Sequence, residues 1–272
     1  MYLSRHSTPR GSRWAVGGEY LPARFDLGLL LEAPADEAMH LIQALTKSGN
    51  VGEDPTLAPV EPTHEVWASG VTYRRSREAR MVESGEADAY ERVYDAERPE
   101  LFFKAPGWRV VGPGDAVRVR RDSRWNVPEP ELVLVLNSRM EILGYTAGND
   151  VSSRDIEGEN PLYLPQAKVY DGSCSLGLGI VLGGPDGMRD LPIRLRIVRG
   201  GEVVLEEQIS TSQMHRQLEA LAGYLGRETS FPTGAFLMTG TGIVPEDDFT
   251  LEPGDATEIS VGELVLENTV ER

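Results

Sequence analysis

Apolar positions along this chain follow two rhythms, one belonging to strands and one to helices. Leu132–Leu136 is an unbroken aliphatic run, the pattern of a strand covered on both faces. Asn137-Ser138-Arg139 carries turn chemistry, after which Met140–Gly148 reads as a returning strand. Leu101–Lys104 is a short apolar run, and Gly112–Asp115 is a turn leading into Ala116-Val117-Arg118-Val119. Ile193, Leu195 and Ile197 alternate with arginines, and Gly200-Gly201 turns the chain into Val203–Ile209. That predicts a hairpin with one wet face. Ile259–Val261 and Leu264–Leu266, joined at Gly262, close the chain as two further strands.

Helical spacing is rarer. Met39, Ile42 and Leu45 predict a helix over Asp36–Thr46 with Asp36 as its cap. Met214, Leu218, Leu221 and Leu225 predict a second over Ser212–Leu225. Ser76–Glu97 interleaves Glu and Arg and reads as a charged helix interrupted at Gly85, most of its charges forming a solvated face. The Val51–Pro62 stretch, with three prolines and little pattern, reads as a linker or ordered loop, and the texture changes from Val66 onward. Few helices and many antiparallel strands predict an α+β, β-rich fold: a small N-terminal domain over 1–65 and a larger domain over 66–272.

Composition then narrows the function. With 40% hydrophobic and 26% charged residues in 272, a sizeable core is expected and global disorder is excluded. A net charge of −16 argues against nucleic acid or an anionic membrane surface as the main partner, because both need a basic face. No run approaches the roughly 20 apolar residues of a membrane span, and the N-terminus lacks the long apolar stretch of a secretory signal. The single cysteine, Cys174, reads as a small packed side chain and points to a reducing, cytoplasmic setting. There is no phosphate-binding glycine loop and no Gly-x-Ser-x-Gly elbow. His6, His40, His64 and His215 are scattered without a pair at helical spacing, which argues against a histidine zinc site; His40 and His215 are placed on helices as surface or boundary residues.

The strongest local signal is Val127-Pro128-Glu129-Pro130-Glu131 running into the aliphatic strand. Side chains two apart on a strand share a face, so Glu129 and Glu131 project together. Two like charges beside a buried strand need a cation between them. With oxygen ligands alone, Mg²⁺, Mn²⁺ or Ca²⁺ is favoured over zinc. A hairpin turning at Ser138 sets Glu129 opposite Ala147 and Glu131 opposite Tyr145, and brings Asp150 beside the start of the Glu129 strand. Spacing alone leaves a second account open, a solvated Glu-x-Glu edge with Asp150 as a turn residue. Lys168, further along, is either a surface residue or a group that binds an anionic substrate or exchanges a proton.

Taken in order, Glu129-x-Glu131, Gly144-Tyr145-Thr146-Ala147-Gly148-Asn149-Asp150-Val151-Ser152-Ser153-Arg154-Asp155, Lys168 and Thr239-Gly240-Thr241-Gly242 resemble the fumarylacetoacetate hydrolase family over residues 66–272. The resemblance implies a mixed β-roll, a divalent cation on Glu129, Glu131 and Asp150, and a homodimer or homotetramer. It also implies that Lys168 enters the active site and that Gly240 and Thr241 help hold the substrate.

Hydrolases of the family carry a histidine that activates water within a Gly-x-Asn-Tyr-x-x-His segment. Here the stretch is Gly70-Val71-Thr72-Tyr73-Arg74-Arg75-Ser76, with Ser76 at the histidine position. A serine hydroxyl is no base near neutral pH. Together with Pro99-Glu100-Leu101-Phe102-Phe103-Lys104, Tyr170–Cys174 and Thr241–Pro245, this resembles the sugar-acid dehydratase branch. That branch implies Mg²⁺-dependent loss of water from a 2-keto-3-deoxy acid such as 2-keto-3-deoxy-D-arabinonate, giving 2,5-dioxopentanoate. Glu100 and Lys168 are then the proton-transfer groups, and Arg75 and Ser76 line the substrate pocket. The competing expectations are C–C hydrolysis or decarboxylation of an acylpyruvate or oxaloacetate-like acid on the same metal site, and a catalytically silent metal-and-ligand-binding protein.

Overall fold

The computed structural model describes residues 1–83 and 87–272. Among these residues the chain builds one mixed sheet of eleven strands, a second sheet of five and a two-stranded pair. Pro130–Leu136 lies near the middle of the large sheet, with every residue buried. Leu132, Leu134 and Leu136 feed one hydrophobic core, shared with the five-stranded sheet. Val133 and Val135 feed a second, shared with the N-terminal helices. A strand between two cores is what an uninterrupted aliphatic run specifies.

The hairpin partner of this strand runs Ile142–Asp150, also fully buried. Its register differs from one centred on Ser138: Glu131 faces Gly148 and Pro130 faces Asn149. The cause is the turn. Asn137 Oδ1 accepts from Arg139 N and Glu141 N, Met140 takes φ 61°, and a register shift follows between Ile142 and Gly144. The longer turn slides the returning strand, so the Asp150 N–H donates to the Glu129 carbonyl at 3.0 Å.

Ala235–Met238 pairs antiparallel with Pro130–Leu136 and parallel with Glu65–Gly70, which in turn pairs with Glu100–Pro106. These four strands and Ile142–Asp150 carry the site on their ends. Strands precede the helix that the pattern marks in the first fifty residues. Tyr2–Thr8 and Gly11–Val16 form a hairpin, and Tyr2 and Leu3 pair with Val181 and Ile180 in the large sheet. Thr56–Leu57, inside the proline-rich stretch, joins the same sheet edge.

The helices are shorter than their periodicity suggests. Ala35–Ala44 starts after Pro34, with Asp36 inside its first turn, where a carboxylate complements the helix dipole. Leu218–Leu225 is helical, but Thr211–Gln213 is a single tight turn and Met214 makes an isolated bridge to Tyr73. Backbone and side-chain bonds there point outward, from His215 N to Thr72 O and from Thr211 Oγ1 to Met188 O, so the helix cannot extend back to Ser212. His215 consequently lies off the helix, stacked on Tyr94 at 4.4 Å. The charged segment forms Arg74–Glu83 and Ala87–Asp95, and the expected interruption at Gly85 lies outside the described residues. No helix among the described residues is long and apolar enough to cross a membrane.

Candidate active site

Glu129, Glu131 and Asp150 converge because the register sets the first and last of them opposite one another and the two glutamates share a strand face. Each offers an oxygen within 4.8 Å of the others, and all three residues are buried. Burial, and then the charges of Asp150 and Glu129, push the Glu131 carboxyl well above its ordinary value, while Lys168 and the Gly240 N–H pull the other way. Such a cluster calls for positive charge. Three hard oxygens at this spacing fit a divalent cation of the Mg²⁺ or Ca²⁺ type.

Protein cations already surround the carboxylates. Lys168 Nζ donates to Glu129 Oε2 at 2.8 Å and to Asp150 Oδ2 at 3.1 Å. Its ammonium also lies 5.7 Å from the Phe102 ring centre. Arg154, 1% exposed, donates to Glu129 Oε1 at 2.8 Å. Lys104, which is not among the cleft-lining residues, ion-pairs with Asp150 Oδ1. Sequence reasoning gave no role to Lys104, Arg154 or Glu157, although a lysine in the apolar run Leu101–Phe103 and an arginine four residues past Asp150 were visible signals.

Glu129, Asp150, Lys168, Glu100, Ser76 and Thr241 are among the walls of a narrow cleft. Glu157 and Phe102 also line it. Glu131 does not; it sits behind, where the Gly240 N–H donates to its Oε2. Gly240 has φ 90°, and a Cβ there would strike Thr72 Oγ1 and the Ser69 carbonyl, so the turn that carries this N–H requires glycine. Thr72 Oγ1 in turn donates to the Thr239 carbonyl at 2.6 Å.

Glu100 reaches the cleft across the strand pair in which it faces Gly70. Its carboxyl occupies the space a Cβ on Gly70 would fill. Val71 follows with φ 52°, a conformation β-branched residues rarely adopt, on the cleft's edge. Ser76 Oγ donates to the Tyr73 carbonyl at 2.8 Å on the first turn of Arg74–Glu83.

Arg75 is placed differently from the other expected residues. Its side chain is 49% exposed, bonded to the Val244 carbonyl at 2.9 Å and paired with Glu207 at 3.4 Å, and it is not among the cleft-lining residues.

A family model described as fumarylacetoacetate (FAA) hydrolase C-terminal matches residues 65–271. The chain belongs to the fumarylacetoacetate hydrolase family. Among family relatives, a probable 2-keto-3-deoxyxylonate dehydratase of Haloferax volcanii is 46% identical over 254 residues, covering 90% of this chain and 86% of the relative. A 2-dehydro-3-deoxy-D-arabinonate dehydratase of Saccharolobus solfataricus is 46% identical over 230 residues, covering 82% and 76%. A solved structure, a 2-keto-3-deoxy-D-arabinonate dehydratase complexed with magnesium and 2,5-dioxopentanoate, superposes with a TM-score of 0.84 at 35% identity over 100% of this chain and 99% of that one. The strand-rich α+β architecture is that of the family. The family match begins at residue 65, although strands before that point are hydrogen-bonded into the same sheet.

Proposed function

We propose that this protein is a Mg²⁺-dependent dehydratase of 2-keto-3-deoxy sugar acids, converting 2-keto-3-deoxy-D-arabinonate to 2,5-dioxopentanoate. The observation that carries this reading is the buried oxygen triad of Glu129, Glu131 and Asp150, of which Glu129 and Asp150 line a cleft that also holds Glu100 and Lys168, with serine at position 76. It is supported by relatives named as a dehydratase and a probable dehydratase of such acids at 46% identity, and by a similar structure holding magnesium with 2,5-dioxopentanoate.

A divalent cation on the three carboxylates supplies Lewis-acid polarisation of an α-keto acid. The side chains do the rest. Lys168, already among the carboxylates, holds the anionic end of the substrate and takes part in moving the C3 proton. Glu100 is the acid for the C4 hydroxyl, which leaves as water, and the residual allylic alcohol tautomerises to the C5 aldehyde. General acid–base assistance of this kind is worth roughly 10²–10⁴-fold in rate. Gly240 and Thr241 close the far side of the cleft, and Ser76 leaves the position without a base for hydrolytic water. Arg75 serves as a substrate clamp only after leaving Glu207, so its contribution is at the entrance.

Assembly from homodimers and a cytoplasmic location belong to the same proposal. The first is supported by exposed Trp108 and Leu162, 64% and 83% accessible, and the second by a lone cysteine that is buried. The deciding experiment is a product assay on 2-keto-3-deoxypentonates with and without chelator. Formation of 2,5-dioxopentanoate that stops on chelation and returns with Mg²⁺ is expected. Consumption of acylpyruvates or oxaloacetate alone overturns the reading.

A further inference from the structure

Lys104 is 0% exposed and does not line the cleft, yet three oxygens of the site surround its ammonium. Nζ donates to the main-chain carbonyls of Lys168 at 2.5 Å and Val151 at 3.2 Å, and ion-pairs with Asp150 Oδ1. Two carbonyl hydrogen bonds and one carboxylate ion pair compensate the buried ammonium. Burying it without such neighbours would be prohibitive.

Its backbone setting points the same way. Pairing between Glu65–Gly70 and Glu100–Pro106 steps from Trp67 with Phe103 to Val66 with Ala105, leaving Lys104 as the extra residue at the register shift. Bulges of this kind re-aim a side chain beside active sites. Here the residue redirected is the one that reaches Asp150. The carbonyl it holds on Lys168 lies at the end of Leu164–Lys168, where intrahelical partners run out, and Ser173 Oγ donates to the same oxygen at 2.8 Å. The base of the Lys168 side chain is therefore fixed from two directions. Asp150 is divided likewise, Oδ1 toward Lys104 and Oδ2 toward Lys168.

We propose that Lys104 is a positioning residue of this centre, acting through the Asp150 carboxylate and the main chain of Lys168 without touching substrate. The inference deepens the dehydratase reading and rests on it for its kinetic part. With Asp150 held by Lys104, Lys168 can exchange a carboxylate for a substrate oxygen without stranding Asp150. One lysine is the fixed counter-charge and the other is the working group.

The test uses the full chain and Lys104→Met, with Lys104→Gln in its place should the methionine variant not fold. Mn²⁺ is titrated by loss of the free-ion spin-resonance signal. Partners one shell out from a metal typically contribute about 10- to 100-fold in affinity or activity. Mn²⁺ affinity is therefore expected to fall by about tenfold, and kcat by about 10- to 100-fold with KM changed less than about threefold. Asp150→Asn combined with Lys104→Met is expected to bind Mn²⁺ no more weakly than Asp150→Asn alone, because the two act through one carboxylate. Additive losses, unchanged Mn²⁺ affinity with unchanged kcat, or failure of both Lys104 variants to fold would overturn the proposal, the last by making Lys104 a residue of the core. If the wild-type chain leaves 2-keto-3-deoxypentonates untouched, the dehydratase reading fails while the Mn²⁺ cycle still decides the role of Lys104.

Discussion

At the scale of single residues, the site is a balance of buried charges. Asp150 faces Glu129 across the hairpin and is in contact with two lysines, so an uncharged amide there alters both ligand chemistry and ion pairing. Asp150→Asn should weaken Mg²⁺ binding by more than the roughly 10- to 100-fold attached to an outer partner, as read by calorimetry. An unchanged titration would remove Asp150 from the ligand set. Glu100→Gln keeps the shape and removes the acid. We expect kcat to drop by roughly 10²–10⁴-fold with Mn²⁺ affinity intact, since Glu100 lies outside the carboxylate cluster. The glutamate pair was readable from the chain because strand geometry alone puts residues two apart on one face. Lys104 and Arg154 left only a hint in their local sequence, since what makes them functional is burial against carboxylates far away in sequence.

Elements decide where these residues end up, and periodicity reads elements better than it reads their ends. The aliphatic run at Leu132–Leu136 was legible because a strand between two cores has no polar face. The turn after it was misjudged because Asn137 uses its side chain to organise four following residues, a tertiary-looking feature hidden in a local sequence. Met214 kept helical spacing with Leu218, yet its segment spends its hydrogen bonds on Thr72 and Met188. The turn after Ala235–Met238 makes a prediction of its own. Gly240→Ala forces a side chain into φ 90° against Thr72 and Ser69, a strain of roughly 1–3 kcal/mol, so both the melting temperature and turnover should fall. An unaltered melting curve would mean the turn tolerates a Cβ.

The connection leading into Glu65–Gly70 depends on His64. The Glu61 N–H donates to its Nδ1, which places the ring proton on Nε2 for the Thr233 carbonyl at 3.0 Å. Burial holds this histidine below its ordinary value of 6.5. The folded chain thus keeps the ring neutral where the unfolded chain protonates it. Its contribution to stability is complete above pH 6.5, declines below that, and levels off once the folded ring also protonates. Melting temperatures measured from pH 7 downward should fall more steeply for the wild-type chain than for His64→Gln; equal slopes would assign the acid sensitivity elsewhere.

For the molecule as a whole, charge and architecture act in opposite directions on an anionic substrate. The net charge of −16 repels it at long range, while Lys168 draws it in only at contact. Raising ionic strength shrinks the Debye length from roughly 30 Å at 0.01 M to about 8 Å at 0.15 M. We therefore expect kcat/KM to rise over that interval, at saturating Mg²⁺. A decline would show that the local cations already dominate the approach.

Gly70 has a wider meaning for a scaffold of this kind. A methyl group there would meet only the tip of the flexible Glu100 side chain, not rigid backbone. The fold would absorb the change by swinging the acid aside, leaving a protein as robust as before and chemically mute. Divergence of activity among such enzymes can therefore start at a position that has no functional group to lose.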